Sequence, residues 1–582
     1  MKTTKFIMAF ATAVMIASCS SDNTNEWVIP NQDGTNSQGG TTGGDSSTSG
    51  DTDTGIVLSE DDNIDNTTFS DTIAVVFSGT TASVAGTADG VAVNITGADV
   101  IVTSTSENNI MYMLSGTTAD GMFKIYSDHK FGTTLNGVNI TNTDGPAINI
   151  QSKKRNFMVV ASGTVNTLAD GSSYADSDED QKATIFSEGQ LIFSGSGTLQ
   201  VTANYKHGIC SDDYLNMAGG VITINAGNGH GLKANDFVAL SGGTLNINVS
   251  GTAKKGISSD GQVTVNGGTT TINTTGGGRY DSDEGDVTAA AGIKADSAFV
   301  INGGTLIIKS TGAGGKGIST DGTATFNGGN VSVTTTGRTY TYNSSLDSKA
   351  KGIKADGNIV INDGVITISA TGGEGSEGME SKGVMYIKGG QVTVSAYDDG
   401  INSAGDMIIS GGYVFAQGTN NDAIDANGNC YIQGGTVYAI GASSPEVAID
   451  ANSEGGYQLY FQGGNLIAIG GLEQGSNITQ TCYQTTAWSA NTWYALYNGS
   501  ASVIAFRTPS STSINSTMIV STPSTPTLQS AISVSGGTSY FAGMANIGGS
   551  FSNGNNVTLS AYTGGNMGGG PGSNMGGGPG RR

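Results

Sequence analysis

The stretch that decides the fold is KGIKADG, at residues 351–357. Near-copies of it recur along the chain: HGICSDD (207–213), HGLKAND (230–236), KGISSDG (255–261), AGIKADS (291–297), KGISTDG (316–322), EGMESKG (377–383), DGINSAG (399–405), DAIDANG (422–428) and VAIDANS (447–453). Apolar and small residues alternate with polar ones, as in a half-buried strand. Ile353 and Ala355 should therefore face a core, while Lys354 and Asp356 face solvent.

A second landmark follows each copy: a glycine pair or Asp-Gly that precedes an alternating strand, as in GGVITIN (219–225), GGTLIIK (303–309) and GGQVTVS (389–395). A period of about 22 to 26 residues leaves room for about three short strands per repeat. The apolar fraction of 36% suits a solenoid, because each coil buries only a thin core. The pattern predicts an all-β fold, a parallel β-helix, which crossover preferences would make right-handed.

The two ends of the chain differ from the repeat in composition. Residues 1–19 (MKTTKFIMAFATAVMIASC) carry two lysines, a short apolar stretch and a cysteine, which resembles a lipoprotein signal peptide lipidated at Cys19. An ordinary signal peptide is the alternative. We expect a flexible Ser/Thr/Gly/Asp tether at 20–70, the β-helix at 71–477, a small β-rich cap or module at 478–562 and a disordered Gly/Met/Pro tail at 563–582. This organisation predicts a protein lipid-anchored to the cell envelope and exposed on the outer membrane.

The charge balance and the cysteines exclude several classes of protein. A net charge of −23 argues against nucleic acid as a partner. The mature chain keeps only Cys210, Cys430 and Cys482, which are too scattered for a disulfide framework or a thiolate metal site.

Cations mark the outward positions of the middle coils. A track of them would dock an anionic polymer, and two tyrosines in the insertions at 278–291 and 337–350 would stack on sugar rings. The alternatives are ion pairing with neighbouring aspartates and solvated loop tips. The candidate carbohydrate-binding residues are Lys233, Lys255, Lys294, Lys316, Lys351, Lys354, Tyr280 and Tyr340.

Carboxylates replace the lysines in the later coils. Carboxylates stacked ~4.8 Å apart repel unless a cation lies between them, and oxygen ligands suit Ca²⁺. An Asp/Asn ladder that caps turn amides is the alternative. The candidate metal ligands are Glu377, Glu380, Asp398, Asp399, Asn402, Asp422, Asp425 and Asp450, with Asp281 and Asp283 in an insertion.

Three features together resemble a known bacterial family. They are LNGVNITNTDGPAINI (135–150), YADSDEDQKATIFSEGQLIFSGSGTLQVTANYKHGICSDD (174–213) and the repeated GI-x-[AS]-D coils. The family comprises extracellular carbohydrate-binding β-helix proteins, described in cellulose-degrading clostridia as binding cellulose and polygalacturonate. The resemblance covers about residues 85–470. It implies a right-handed parallel β-helix with Ca²⁺ along it, and kinship with pectate lyases without demonstrated lyase activity.

The leading hypothesis is therefore a non-catalytic, surface-tethered protein that binds a uronic-acid polymer or a cellulose-like glycan with the help of Ca²⁺. The first alternative is a pectate-type lyase in which Ca²⁺ neutralises the uronate and a lysine such as Lys294 or Lys354 is the base. The near-identity of the lysine coils argues against a catalytic site. The second alternative is an adhesin or structural surface protein with no sugar ligand.

Overall fold

A computed structural model describes residues 54–511 and 517–564, which all belong to one compact unit, Gly50–Arg582. Cys19, most of the predicted tether and the tail from residue 565 lie outside the described residues. The fold is nearly all-β, and 2% of it is helical. Its short 3-10 helices are Glu60–Asp62, Ile64–Asn66, Ser453–Gly455 and Phe541–Gly543. Across the described ranges, no helix has the length and apolar character needed to cross a membrane.

Each coil contributes one strand to each of three ladders of mostly parallel strands. The first ladder carries the repeat motif. Its strands are Val91–Thr96, Asp99–Ser104, Met122–Ser127, Ile148–Ile150, Ala183–Ser187, His207–Ser211, Leu232–Ala234, Lys255–Ser259, Ala291–Ala295, Lys316–Thr320, Lys351–Ala355, Glu377–Ser381, Ile401–Ser403 and Ile424–Ala426. Single bridges extend the ladder through Ile449 to Leu472.

The second ladder precedes the glycine pair of each coil. It runs from the first parts of Ile110–Thr118 and Phe131–Asn142, which pair in parallel. It continues through Asn156–Val160, Leu191–Gly195, Leu215–Met217, Phe237–Leu240, Gln262–Val265, Ala298–Ile301, Thr323–Phe326, Ile359–Ile361, Met385–Ile387, Met407–Ile409, Cys430–Ile432, Leu459–Phe461 and Asn477–Ile478.

The third ladder follows the glycine pair. It runs from the second parts of Ile110–Thr118 and Phe131–Asn142, which pair in parallel. It continues through Val165–Asp170, Thr198–Ala203, Val221–Ala226, Thr244–Val249, Thr269–Thr274, Thr305–Ser310, Asn330–Thr335, Val365–Ala370, Gln391–Ala396, Tyr413–Gly418, Thr436–Ile440 and Asn465–Ile469. These ladders confirm the predicted parallel β-helix, with about 15 turns. Its handedness stays a prediction.

The interior is a stack of columns in which equivalent residues of successive coils touch. Ile353 pairs with Ile318 below and Met379 above, and both Ile353 and Ala355 are fully buried, as predicted. Gly352 completes the corner because a Cβ there would lie 2.4 Å from the carbonyl oxygen of Gly378 and 2.4 Å from Ile368 Cγ2. The glycine at this position, which is replaced by Ala423 and Ala448 in the last two copies, is thus favoured by close packing of the coils.

The N-terminal end closes with antiparallel pairs. Asp71–Ser78 pairs with Thr81–Ala85 and, in parallel, with Ile110–Thr118, while Val91–Thr96 pairs antiparallel with Asp99–Ser104. The segment before it was predicted to be a tether up to residue 70, and for residues 54–69 this is wrong. Four apolar side chains in that segment pack on the outside of the second ladder: Ile56, Leu58, Ile64 and Phe69.

At the other end, residues 482–562 form antiparallel strands rather than coils. Six of them make one sheet: Thr538–Tyr540, Ala545–Ile547, Ala501–Arg507, Trp493–Asn498, Pro526–Ser530 and Asn555–Asn556. Met518–Ser521 pairs with the last strand of the third ladder and with Cys482–Thr485. Cys482–Thr485 also pairs with Ser560–Tyr562. A separate pair is formed by Ser533–Ser535 and Ser550–Ser552. Phe506 and Phe541 pack on Tyr438 and Phe415, so this module covers the outer face of the last coils.

Candidate functional site

The predicted lysines and carboxylates lie on the outer face of the first ladder. The insertions that precede two strands of this ladder lie beside them. Two insertions form small hairpins, Arg279–Asp281 with Asp286–Thr288 and Tyr340–Thr341 with Asp347–Ser348. Tyr280 of one stacks on Tyr342 of the other, with ring centroids 4.3 Å apart and planes at 7°. Tyr340 lies over Gly278 at the base of the first hairpin. The two hairpins therefore lean on each other above the middle coils.

Four of the six predicted lysines are ion-paired. Lys233 pairs with Asp260, and Lys294 pairs with Asp296 at 3.1 Å and with Asp321 of the next coil. Lys354 Nζ lies 2.5 Å from Asp356, and the buried Lys351 lies 2.6 Å from Glu377 and 3.5 Å from Glu380. For these four, pairing within and between coils accounts for the charge without any ligand.

Lys255 and Lys316 are different. Within the described ranges neither forms an ion pair; instead each amine is held under a hairpin. Lys255 Nζ donates to the carbonyl of Ala253 at 3.0 Å and to Thr288 Oγ1 at 3.1 Å. Lys316 Nζ donates to Ser348 Oγ at 2.7 Å and, more weakly, to the carbonyl of Gly314 at 3.4 Å.

Burial and neighbouring lysines both act on the pKa values of these two amines. Burial, with contributions from Lys254 and Lys294, lowers the pKa of Lys255 to about 8. Burial likewise lowers the pKa of Lys316 to about 8, with contributions from Lys354 and Lys351. Two lysines without an ion pair in the described ranges are a local feature that suits an anionic ligand, in a chain of net charge −23.

The register sets the spacing between the two lysines. Lys255 aligns with Ala291, which aligns with Lys316, so they are two coils and ~9.6 Å apart along the axis. Ala291, which lies between them in this column, is small, and Lys294 of the same coil is paired with Asp296 and Asp321. The column therefore carries one ammonium on each side of Ala291.

Glu377 and Glu380 do not join the carboxylate cluster, contrary to their assignment as metal ligands. They form a buried network with Lys351, and Glu380 also accepts from Lys382 at 2.6 Å. Burial raises the pKa of Glu377 to about 7, whereas Lys351 and Lys382 outweigh burial and lower the pKa of Glu380. This network marks the boundary between the cationic and acidic parts of the face.

Asp398, Asp399 and Asn402 serve largely as hydrogen-bond acceptors and donors for the turns. Asp398 accepts from the backbone of Gly375 at 2.7 Å and from Asn421. Asn402 Nδ2 donates to Asp399 and to Asp425, both at 3.0 Å. The ladder alternative is thus realised here. Burial, followed by the charge of Asp425, raises the pKa of Asp399 to about 9.

Asp422, Asp425 and Asp450 come together as predicted. One carboxylate oxygen from each lies within 4.8 Å of the others. Burial is the largest cause that raises their pKa values, to about 7 for Asp422, about 6 for Asp425 and about 9 for Asp450. Three oxygen ligands that hold extra protons in the absence of a cation fit a hard divalent ion such as Ca²⁺.

One acidic residue of this cluster escaped sequence reasoning. Glu473 hydrogen-bonds to Asp450 and helps to raise its pKa. The signal was present in the register, because Leu472 bridges to Ile449 as Ile449 bridges to Ile424. Glu473 therefore continues the column of Asp425 and Asp450 in a coil whose motif has degenerated.

The two aspartates predicted in the insertion lie apart from this cluster. Asp281 pairs with Arg279 at 3.0 Å and accepts from the backbone of Asp283 at 3.3 Å, within the hairpin. Neither is brought to the other predicted ligands.

Comparisons with known proteins show which family the chain belongs to. The family described as carbohydrate-binding domain-containing protein matches residues 96–254, 238–339 and 341–420, more than half of the chain. A protein of that description from Acetivibrio thermocellus is 36% identical over 115 residues, which are 19% of this chain and 40% of that protein. The match thus spans less than half of the relative.

A solved structure is also similar to part of the chain. It is described as the polysaccharide lyase-like protein from C. thermocellum, as a gadolinium derivative. It shares 29% identity and covers 41% of this chain and 91% of its own, with a TM-score of 0.35. A TM-score this low does not establish a common arrangement of coils.

Proposed function

Because the chain belongs to the family of carbohydrate-binding domain-containing proteins, we propose that it binds an anionic polysaccharide without cleaving it. The observation that carries this proposal is the pair of buried, unneutralised amines of Lys255 and Lys316 on one face of the β-helix. A uronic-acid polymer lying along the axis would place carboxylates against them. Their separation of ~9.6 Å is comparable in scale to a disaccharide repeat.

The hydrogen bonds of each amine prepare it for this role. An ammonium has three N–H donors. Two of them are used by protein acceptors in each lysine, which orients the third and reduces the entropy lost on binding. A carboxylate that accepts the third donor would also neutralise a partly desolvated charge, which makes such a hydrogen bond stronger than a neutral one.

Ca²⁺ is proposed as a structural ion in the cluster of Asp422, Asp425 and Asp450. The cation would offset the burial and the mutual repulsion that raise the pKa values of these carboxyls, and it would fix the coils next to the lysine face. Glu473 is a further ligand candidate. The lipid anchor at Cys19, with exposure on the outer membrane, is proposed from the sequence pattern alone.

The test is affinity electrophoresis of the full chain in native gels that contain polygalacturonate, with Ca²⁺ present. The protein should migrate more slowly as the polymer concentration rises, and 1 M salt in a parallel pull-down should weaken the binding. Equal mobility at every concentration of polygalacturonate and of other uronic-acid polymers would refute the proposal.

A polysaccharide lyase remains a second candidate because of one observation. A lysine whose pKa is about 8 can act as a general base near neutral pH, and Lys316 has this property. Incubation with polygalacturonate and Ca²⁺ would then produce unsaturated ends that absorb in the ultraviolet. Absorbance that stays at baseline while the protein binds the polymer supports the non-catalytic function.

A further inference from the structure

The column of the first ladder that carries Lys255 and Lys316 continues past Lys255 with two histidines that the proposed site leaves unused. The strand register places His207 next to His230, and His230 next to Lys255. Both imidazoles are half-buried, and they stack with ring centroids 4.9 Å apart and planes at 15°. The histidines therefore extend this column by two coils, or ~9.6 Å, beyond Lys255.

The hydrogen bonds of the two imidazoles fix where their protons lie. His207 Nδ1 accepts from the backbone of His230 at 2.9 Å, and His230 Nδ1 accepts from the backbone of Lys255 at 2.9 Å. A ring nitrogen that accepts a hydrogen bond carries no proton, so each neutral imidazole carries its proton on Nε2. In the part of the chain that the structure describes, neither Nε2 has a protein partner. Each ring thus has one N–H donor left for another acceptor.

This arrangement excludes two common uses of histidine. A metal ion needs the lone pair of Nε2, and that position is occupied by the proton. A second proton would have to lie on Nδ1, against a backbone N–H. Burial, with contributions from Lys254 and Lys233, lowers the pKa of His207 to about 3. Burial together with His207 lowers the pKa of His230 well below its usual value. Both rings are therefore neutral donors near neutral pH.

The backbone hydrogen bond alone does not require histidine. In later coils of the same column, Asp399 Oδ1 accepts from the backbone of Asp422 at 3.2 Å, and Asp422 Oδ1 accepts from the backbone of Val447 at 2.6 Å. These carboxylate oxygens make the hydrogen bond that Nδ1 makes at His207 and His230. An oxygen at this position can therefore accept from the next coil, and the group that histidine adds is a rigid N–H donor farther from the backbone.

The two imidazoles and the two amines form one row along the axis. Neighbouring members lie ~4.8 Å apart from His207 to Lys255, and Lys316 follows ~9.6 Å further on. The row is therefore ~19 Å long, which is twice the separation of the two amines. It is also asymmetric, with neutral donors at one end and ammonium groups at the other. An asymmetric row of polar groups can fix both the register and the direction of a bound polymer.

We propose that His207 and His230 are specificity-determining residues of the polysaccharide site, where their Nε2–H groups donate to hydroxyl oxygens of the sugar units beyond those held by the two amines. This inference rests on the proposed function, and it lengthens the site from one disaccharide repeat to two. A neutral N–H suits an uncharged oxygen, while the two lysines supply the stronger pairing of ammonium with carboxylate. The backbone already holds both rings, so little conformational entropy is lost when they donate to a ligand.

The test is isothermal titration of a digalacturonide and of a tetragalacturonide into the full chain with Ca²⁺ present. The variant His207→Asn/His230→Asn keeps oxygens that can accept from the next coil, as Asp399 does, and removes the donors at the Nε2 positions. It should bind the tetragalacturonide about ten-fold more weakly than the parent, because two neutral hydrogen bonds are lost. Its affinity for the digalacturonide, which needs only the two amines, should stay within about two-fold of the parent. His129→Asn, which changes the third histidine of the chain, is the control and should change neither affinity.

Glutamine makes the opposite exchange and separates binding from structure. Its amide N–H can reach the Nε2 position, but it leaves no acceptor at the Nδ1 position. His207→Gln/His230→Gln should therefore melt at a lower temperature than the parent and keep its tetragalacturonide affinity within about three-fold. The asparagine variant should melt with the parent.

The outcomes distinguish this inference from the proposed function. Equal tetragalacturonide affinities of the parent and the asparagine variant would refute the inference and leave the proposed function standing. An equal loss of affinity for both sugars would assign the histidines to backbone capping alone and would also overturn it. If the double variant folds poorly, His207→Asn alone should weaken tetragalacturonide binding about three-fold, and an unchanged affinity would refute the inference. No saturable binding of either sugar by the parent would refute the proposed function and the inference together.

Discussion

The substitution Asp422→Asn tests whether the acidic cluster is a cation site. Asp422 is 7% exposed, and its Oδ1 accepts from the backbone of Val447 at 2.6 Å, a hydrogen bond that an asparagine oxygen can retain. Burial, together with Asp425, gives the carboxyl a pKa of about 7 instead of 3.8. The variant therefore removes a buried charge and preserves the local packing.

The sign of the effect follows from linkage. The pKa is raised in the fold, so the folded state favours the proton, and without a cation stability falls as pH rises from about 4 until the loss is complete above about 7. A pKa of about 7 against 3.8 in the unfolded chain corresponds to about 4 kcal/mol. In chelator at pH 8, Asp422→Asn should therefore unfold at a higher temperature than the parent. At pH 5 the advantage should shrink to less than about 2 kcal/mol.

Saturating Ca²⁺ should offset most of the variant's advantage of about 4 kcal/mol at pH 8. Ca²⁺ at a hundred times its Kd stabilises a protein by about 2.7 kcal/mol, and the parent gains this more fully because a carboxylate is a stronger ligand than an amide. The assay is a circular dichroism melt in chelator and in Ca²⁺, at pH 5 and pH 8. Asp363→Asn, which removes an exposed carboxylate from a repeat turn, is the control. A variant that melts below the parent in chelator at pH 8, or equal gains from Ca²⁺, would refute the reasoning.

Three further predictions follow from packing and charge. Gly352→Ala should lower the free energy of unfolding by about 3 kcal/mol, and with it the melting temperature, because the new Cβ would lie 2.4 Å from a backbone oxygen. Gly227→Ala, whose Cβ would have 3.9 Å of clearance, should leave both unchanged. Equal melting temperatures for the two variants would contradict the packing argument. Arg155→Met should destabilise the attachment of residues 54–69 by about 3 kcal/mol, because it leaves the buried Asp62 without its ion-pair partner. Glu-C protease should then cut after Glu60 faster than in the parent protein. Unchanged cleavage would contradict this role of the ion pair. Polygalacturonate affinity should fall between pH 7 and pH 9 as Lys316 loses its proton near pH 8, and a flat profile would contradict its role.

The repeat alone was sufficient to predict the coils. Alternation within KGIKADG separates Ile353 and Ala355 from Lys354, and the structure buries the first two as expected. The prediction works because every coil repeats the same local rule, so one correct register extends to its neighbours. Residues 54–69 were misassigned because their few apolar side chains lie in a polar context. Only the outer face of a distant ladder gives those side chains a partner.

The candidate site was predictable in outline and not in detail. All six lysines lie near the face that the pattern indicated, yet the motif does not distinguish Lys316 from Lys351. The difference arises from groups outside the strand, Ser348 in a hairpin for Lys316 and Glu377 in the next coil for Lys351. Insertions have no repeat to fix their conformation, so their contacts could not be derived from spacing. Glu473 was missed for a related reason, since its coil has lost the motif.

The most direct test of the central claim is isothermal titration of a defined oligogalacturonide into the full chain with Ca²⁺ present. The parent protein should show saturable binding. Lys316→Gln should weaken it by at least about ten-fold, since a hydrogen bond to a charged group contributes about 1.5–3 kcal/mol. Lys233→Gln, which removes a lysine already paired with Asp260, should leave the affinity within about two-fold of the parent. Equal affinities for the parent and Lys316→Gln, or no saturable binding by the parent, would contradict the account.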